Sequence, residues 1–442
     1  MRLLSFKGGI HPEDGKELTK GEKIVRTAAG DKLYYSLSQH IGAPSVPIVS
    51  KGDHVLRGQM IARANGNVSA FVHASVSGTV EGIEKMRMPS GNMADCIVVD
   101  NDHEMREVQF QADKLEEMTR DEILKRIKNA GVVGMGGAGF PTHVKLSPPN
   151  PDKIDSILVN AAECEPYLTG DYQRMTEEPE KIMTGLLAVL KLFPGARGYL
   201  CIEDNKKDCI TAMEPLCRDH NIEIKCLRTK YPQGAERVLI STVTGRKINS
   251  KMLPADALCI VDNVETMVAI GEAVINGKPL MDRTITVTGD AVKNPKNLSV
   301  PIGILHREAA DAAGGFSKAP QKIISGGPMM GNALISLDVP VTKTSSGLLA
   351  FSEDVVSESE PSACMNCGRC VEDCPGRILP TRLADFADRG DKESFLKYHG
   401  MECCECGCCS YICPAKRHLT QSIRSMRKIL LDEQKKGQVK VK

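Results

Sequence analysis

Residues 131–146, GVVGMGGAGFPTHVKL, carry a formal G-x-G-x-x-G at Gly134, Gly136 and Gly139. A dinucleotide fingerprint of that form follows a strand and opens a helix. This one follows TRDEILKRIKNAG (119–131), whose apolar spacing, acidic first turn and terminal glycine predict a helix, and it runs into Phe140-Pro141-Thr142. The Rossmann reading therefore fails on context. What the glycines retain is a backbone whose amides can approach a ligand closely, with an anion such as a phosphate the usual occupant.

Downstream of that loop the apolar pattern alternates. SILVNAAE (156–163), GYLCIED (198–204) and IEIKCLRT (222–229) read as short strands. EPEKIMTGLLAVLKLF (178–193) and KKDCITAMEPLCRD (206–219) read as helices, and GAERVLISTVTG (234–245) continues the series. Strands alternating with helices imply a mostly parallel sheet covered on both faces, over 113–278. Upstream, residues 1–40 read as an irregular lead-in. Residues 41–112 read as a small β barrel-sandwich: VPIVSKGDHVLRGQMIARA and AFVHASVSGTVEGIEKM are Val-rich pieces cut by Gly52, Gly58, Gly66 and Gly78. This pattern resembles the lipoyl/biotinyl carrier fold, but no lysine sits in a Met-Lys-Met tip, so a structural or docking role is expected instead. Beyond the α/β domain, 279–335 holds two strands around an Asn-Pro turn and a short helix, and resembles the β-grasp soluble ligand-binding module. A linker (336–360), a cysteine-rich segment (361–425) and a basic tail (426–442) complete the chain. The expected class is multidomain α/β plus β.

Ten of the 17 cysteines lie between Cys364 and Cys413, six of them in MECCECGCCSYICP (401–414). Cys364, Cys367, Cys370 and Cys374 before Pro375 spell C-x2-C-x2-C-x3-C-P, and Cys403, Cys406, Cys409 and Cys413 before Pro414 spell it again. That is the bacterial ferredoxin run for two [4Fe-4S] clusters, in which the fourth cysteine of each run ligates the other cluster. One cluster is therefore assigned to Cys364, Cys367, Cys370 and Cys413, the other to Cys403, Cys406, Cys409 and Cys374. Paired four-cysteine zinc sites, the competing reading, use two C-x2-C knuckles without a third in-frame cysteine and x3-C-P. Cys404 and Cys408 fall outside the frame and read as packing thiols. The other seven cysteines are scattered and read as small buried hydrophobes.

Net charge is +1, tryptophan is absent and aromatics make up 4% of the 442 residues, which removes the electrostatic footprint and the stacking platform of a nucleic-acid binder. No stretch approaches the roughly 18 uninterrupted apolar residues of a membrane span. The N-terminus, MRLLSFKGGIHPEDGK, lacks a signal-peptide core, so the cytosol is expected.

GMGGAGFPTHVK resembles the flavin loop of the NADH-oxidising flavoprotein subunit of respiratory complex I. VNAAECEP (159–166) and DNVET (262–266) are similar to two further stretches of that family, and QGAERVL around Gly234 and Glu236 is a looser match. The resemblance implies non-covalent FMN held by Gly134, Gly136, Gly137 and Gly139, with Lys145 supplying charge and Asn160, Glu163, Asn263 and Thr266 contacting the flavin. It places Glu165 and Glu236 near NAD(H), the substrate. Ala162 and Cys164 depart from that family's aspartate and serine. GGIHP, NAAECEPYLTGD, SGGPMMG and PVTKTSSG extend a resemblance over nearly the whole chain to the RnfC/RsxC family of Rnf-type ion-translocating ferredoxin:NAD oxidoreductases. It implies a peripheral subunit at the cytoplasmic face of a membrane, with the membrane and flavin/iron-sulfur subunits of that complex as partners, ferredoxin as an indirect one, and coupling to Na+ or H+. A soluble cobalamin-reductase-like enzyme and an electron-transfer subunit without dehydrogenase activity are the alternatives.

Overall fold

The computed structural model describes residues 2–436; the last six positions of the basic tail lie outside the described residues. In the α/β domain, four strands run parallel in the order Ile222–Leu227, Arg197–Glu203, Ser156–Ala161, Cys259–Asn263. Helix Arg120–Asn129 has the expected acidic first turn, Asp121 and Glu122, and begins at a capping box between Thr119 and Glu122. Helices Pro179–Leu192 and Val264–Asn276 pack so closely that a Cβ on Gly185 would lie 1.9 Å from the Met267 carbonyl oxygen. Asn160 and Asn263 stand at the carboxyl ends of their strands, the end at which open α/β sheets bind ligands.

Two departures from expectation concern segments expected to be irregular. Lys32–Ser36, inside the expected lead-in, is a barrel strand paired with Met93–Asn101, which pairs in turn with Gly78–Arg87; Leu33 and Tyr35 are fully buried. Gly347–Phe351, inside the expected linker, is a central strand of a six-stranded sheet, between Asp282–Thr288 and Lys322–Ser325. Its apolar run GLLAF is what a strand covered on both faces requires. Leu33, Tyr35, Val55 and Ile97 of the barrel share one apolar core with Ile285, Leu298 and Leu348 of this sheet.

The N-terminal residues act as a strap. Leu4 N donates to Cys226 O and Arg228 N to Leu4 O (2.9 and 2.8 Å), and Ile10 and Tyr231 exchange backbone hydrogen bonds. Gly9 N then reaches Asp373 O of the cysteine segment at 2.8 Å. In that segment, Leu419, Ile423, Met426 and Leu430 of helix Leu419–Lys435 are buried against Leu383, Ala384 and Phe395; spaced three and four residues apart, they form one face of the helix. No helix among the described residues is long and apolar enough to cross a membrane.

Candidate flavin and iron-sulfur sites

The glycine loop lies over the carboxyl ends of the strands. Met135 pins it: its N–H donates to Thr266 Oγ1 at 3.0 Å and its carbonyl accepts from Arg283 Nη2 at 2.9 Å. Gly136, Gly137 and Ala138 are left exposed. A Cβ on Gly136 would meet Asn263 Cβ at 2.8 Å, whereas one on Gly137 would meet nothing within 4 Å. Gly139, at φ +71, bends the chain back past Thr344. Asn263 caps its helix by accepting from Glu265 N (2.9 Å) and donates to Asp171 Oδ2 (2.6 Å). Asn160 Nδ2 donates to Gly234 O at 2.8 Å. Lys145 Nζ donates to Val261 O and Asp262 Oδ1, both at 2.7 Å. Its charge is thus partly countered by a buried carboxylate whose other oxygen, Oδ2, has no hydrogen-bond partner among the described residues. Exposed amides, a gap that a side chain would fill and an adjacent ammonium suit the phosphate and ribityl of a flavin nucleotide.

Two of the acids expected around the nucleotide are engaged within the protein. Glu163, at φ 45, accepts from Asp171 N (2.7 Å) and Tyr172 N (3.3 Å), holding the start of helix Gly170–Glu177. Glu165 accepts from Met329 N and Met330 N, both at 3.0 Å. Glu236 stands exposed in the first turn of helix Glu236–Thr244. Asp171, the last residue of NAAECEPYLTGD but not singled out by the sequence reading, has its pKa pushed up to about 7, first by burial and then by Glu163 and Glu265.

The two cysteine runs fold alike. Asn366 and Glu405 occupy equivalent positions at φ 55 and 57, Gly368 and Gly407 at 79 and 81, Arg377 and Lys416 at 54 and 51. Asn366 N donates to Cys364 Sγ and Glu405 N to Cys403 Sγ, each at 3.4 Å. Cys374 of the first run lines one cavity with Cys403, Cys406 and Cys409 of the second. Cys364 and Cys367 are exposed and Cys370 and Cys413 half-buried. Burial pushes the Cys370 thiol up, and the nearby Cys413, Cys364 and Cys367 add to it. Cys403 and Cys409 are pushed up to about 12, chiefly by burial. Buried thiols crowded together become good ligands only when a cationic metal centre offsets the thiolate charge. Among the described residues no three His, Cys, Asp or Glu side chains gather tightly enough for a single ion. Cys404 and Cys408 also border the cavity. Of the scattered cysteines, Cys96, Cys201, Cys209, Cys217 and Cys259 are buried, while Cys164 and Cys226 are half-buried.

The two sites meet at the loop after strand Ile222–Leu227. Tyr231 Oη donates to Cys406 O at 2.8 Å, and Gly234 N donates to Cys164 Sγ at 3.2 Å. Glu402, next to Cys403, accepts from Arg237 Nη1, Ser250 N and Ser250 Oγ at 3.1, 2.9 and 2.6 Å. Nothing local in the sequence signals these contacts.

A glycine loop at the carboxyl end of a parallel sheet, joined to a duplicated cysteine fold, defines a multidomain flavoprotein/iron-sulfur class of electron-transfer protein. Family models match in the same modules: the Nuo51 FMN-binding domain at 127–272, the RnfC barrel sandwich hybrid domain at 4–104 and the SLBB domain at 284–333. The chain is 42% identical over 428 residues to the subunit designated C of the proton-translocating ferredoxin:NAD(+) oxidoreductase complex of Clostridium ljungdahlii, covering 96% of this chain and 94% of that one. It is 43% identical over 436 residues to the corresponding subunit of the Na(+)-translocating complex of Acetobacterium woodii, covering 98% of each. It is 37% identical to the corresponding subunit of the ion-translocating oxidoreductase complex of Rhodobacter capsulatus, over 90% of this chain and 78% of that one. In fold it is similar to a chain of an NAD+-reducing [NiFe]-hydrogenase in the air-oxidised state, with TM-score 0.53 and 19% identity over 74% of this chain and 64% of that one. The chain belongs to the RnfC family of ion-translocating ferredoxin:NAD(+) oxidoreductase complexes.

Proposed function

We propose that this chain is the peripheral subunit, on the cytoplasmic face, of a membrane-bound ion-translocating complex, and that it passes electrons between NAD(H) and ferredoxin-linked carriers. The site would hold FMN, whose chemistry would couple hydride exchange with the nicotinamide to single-electron exchange with two [4Fe-4S] clusters. The backbone of Gly134, Gly136, Gly137 and Gly139 holds the phosphate and ribityl side, with Lys145 beside it. Asn160, Asn263 and Thr266 fix the loop and the strand ends that face the ring. Gly234 and Glu236 border the nucleotide approach. Cys364, Cys367, Cys370 and Cys413 hold one cluster, and Cys374, Cys403, Cys406 and Cys409 the other.

The observation that carries this reading is the hydrogen bond from Tyr231, in the loop bordering the flavin site, to the backbone of Cys406, a cluster ligand. It joins the two sites through one side chain. No acid, base or nucleophile is needed, because the protein supplies orientation, distance and the electrostatic setting. The coupling ion is Na+ or H+; the Clostridium and Acetobacterium relatives are named for different ions. Inverted membrane vesicles test the whole: reduced ferredoxin should drive NAD+ reduction with ion uptake, both lost when this protein is stripped off and restored when it is returned. Uptake that continues without it would contradict the proposal.

A further inference from the structure

The loop Gly326–Gly331, between strands Lys322–Ser325 and Asn332–Ala333 of the β-grasp sheet, reaches away from its own module. Met329 N donates to Glu165 Oε2 and Met330 N to Glu165 Oε1, each at 3.0 Å, so one carboxylate takes both amides. The approach is close: a Cβ on Gly327 would lie 2.2 Å from Glu165 Oε2, so a side chain there would displace the carboxylate. The main chain of Glu165 is held too, its carbonyl accepting from Lys16 Nζ of the strap at 2.9 Å. On its other side the loop faces the cluster segment. A Cβ on Gly407 would stand 3.3 Å from Met329 Cε and 3.4 Å from Met329 O, and Met329 packs in one apolar group with Tyr231, Cys164, Cys404, Cys406 and Cys408.

We propose that this loop is a strut closing the junction between the flavin site and the cavity of Cys374, Cys403, Cys406 and Cys409, and that Glu165 is the positioning residue that seats it. The β-grasp module then takes as its ligand a carboxylate of its own chain, the Glu165 that the resemblance had put near NAD(H). Seated, the strut keeps water out of the apolar group around Tyr231 and fixes the separation across which single electrons pass. The role in electron passage rests on the relay proposed above; the seating does not.

Glu165→Gln keeps the shape but turns one acceptor into a donor, so one of the two amides faces an N–H. Hydrogen exchange followed by mass spectrometry on the peptide spanning 326–331 should then run about tenfold or more faster than in the parent, with or without cofactors, and Glu165→Asp should restore part of the protection. In cofactor-replete protein mixed with NADH, flavin bleaching should persist while cluster bleaching lags behind it. Unchanged exchange in Glu165→Gln overturns the strut. A raised KM for NADH with an unchanged cluster step makes Glu165 a nucleotide ligand and also overturns it. Failure of NADH to bleach the flavin of the parent protein overturns the relay reading itself, an outcome the variant does not share in producing.

Discussion

Tyr231 Oη lies 2.8 Å from the carbonyl oxygen of Cys406 and donates to it, across 175 residues of chain. The tyrosine is almost fully buried, so the carbonyl has no water to turn to if the hydroxyl is removed. Tyr231→Phe should cost about 1–3 kcal/mol of stability, the penalty of an orphaned buried acceptor, as measured by denaturant unfolding, with iron content unchanged.

The glycine loop separates fold from ligand. Gly136→Ala places a methyl 2.8 Å from Asn263 Cβ and should destabilise by about 1–3 kcal/mol as overpacking does. Gly137→Ala meets nothing within 4 Å, so its unfolding midpoint should match the parent. A loss of flavin from Gly137→Ala, read from the visible spectrum of the purified protein, therefore reports the ligand's own approach to that backbone.

Interleaved ligation has a direct signature. Cys374→Ala should remove the cluster in the cavity it shares with Cys403, Cys406 and Cys409, lowering iron and acid-labile sulfide by about half. Cys404→Ala and Cys408→Ala should leave both unchanged. Zinc in place of iron in the parent would contradict the cluster assignment.

Lys343 Nζ donates to Phe71 O at 2.6 Å and Gly131 O at 2.7 Å, tying the barrel to the root of the glycine loop. Burial pulls its pKa from 10.5 down to about 7. The unfolded chain therefore binds the proton first as pH falls from about 10.5, and stability drops until about pH 7, where the folded state binds it too. The neighbouring His73 and His40, both pulled down by burial, stay neutral across this window. Between pH 7 and 10 the parent should gain up to about 1.4 kcal/mol per pH unit from this group, and Lys343→Met should lose that slope in denaturant titrations.

What is legible in the sequence is local. The acidic first turn after Thr119, the apolar face of Leu419, Ile423, Met426 and Leu430, and the two cysteine frames depend on neighbours a few residues apart. Spacing alone therefore states them. Gly347–Phe351 reads as linker because its strand character comes from partners at Asp282–Thr288 and Lys322–Ser325, which no local pattern names. Glu165 is named through the resemblance, but its partners are hidden for a similar reason: its carboxylate is claimed by amides 164 and 165 residues away. Tyr231 gives no signal because a lone buried tyrosine carries no motif.

In the proposed relay, electrons from a nicotinamide reach the cysteine segment through the flavin site. Anaerobic titration of the cofactor-replete protein with NADH, followed in the visible spectrum, tests it most directly. Bleaching of both the flavin and the broad cluster absorbance by NADH is predicted. Clusters bleached by dithionite but untouched by NADH would contradict the account.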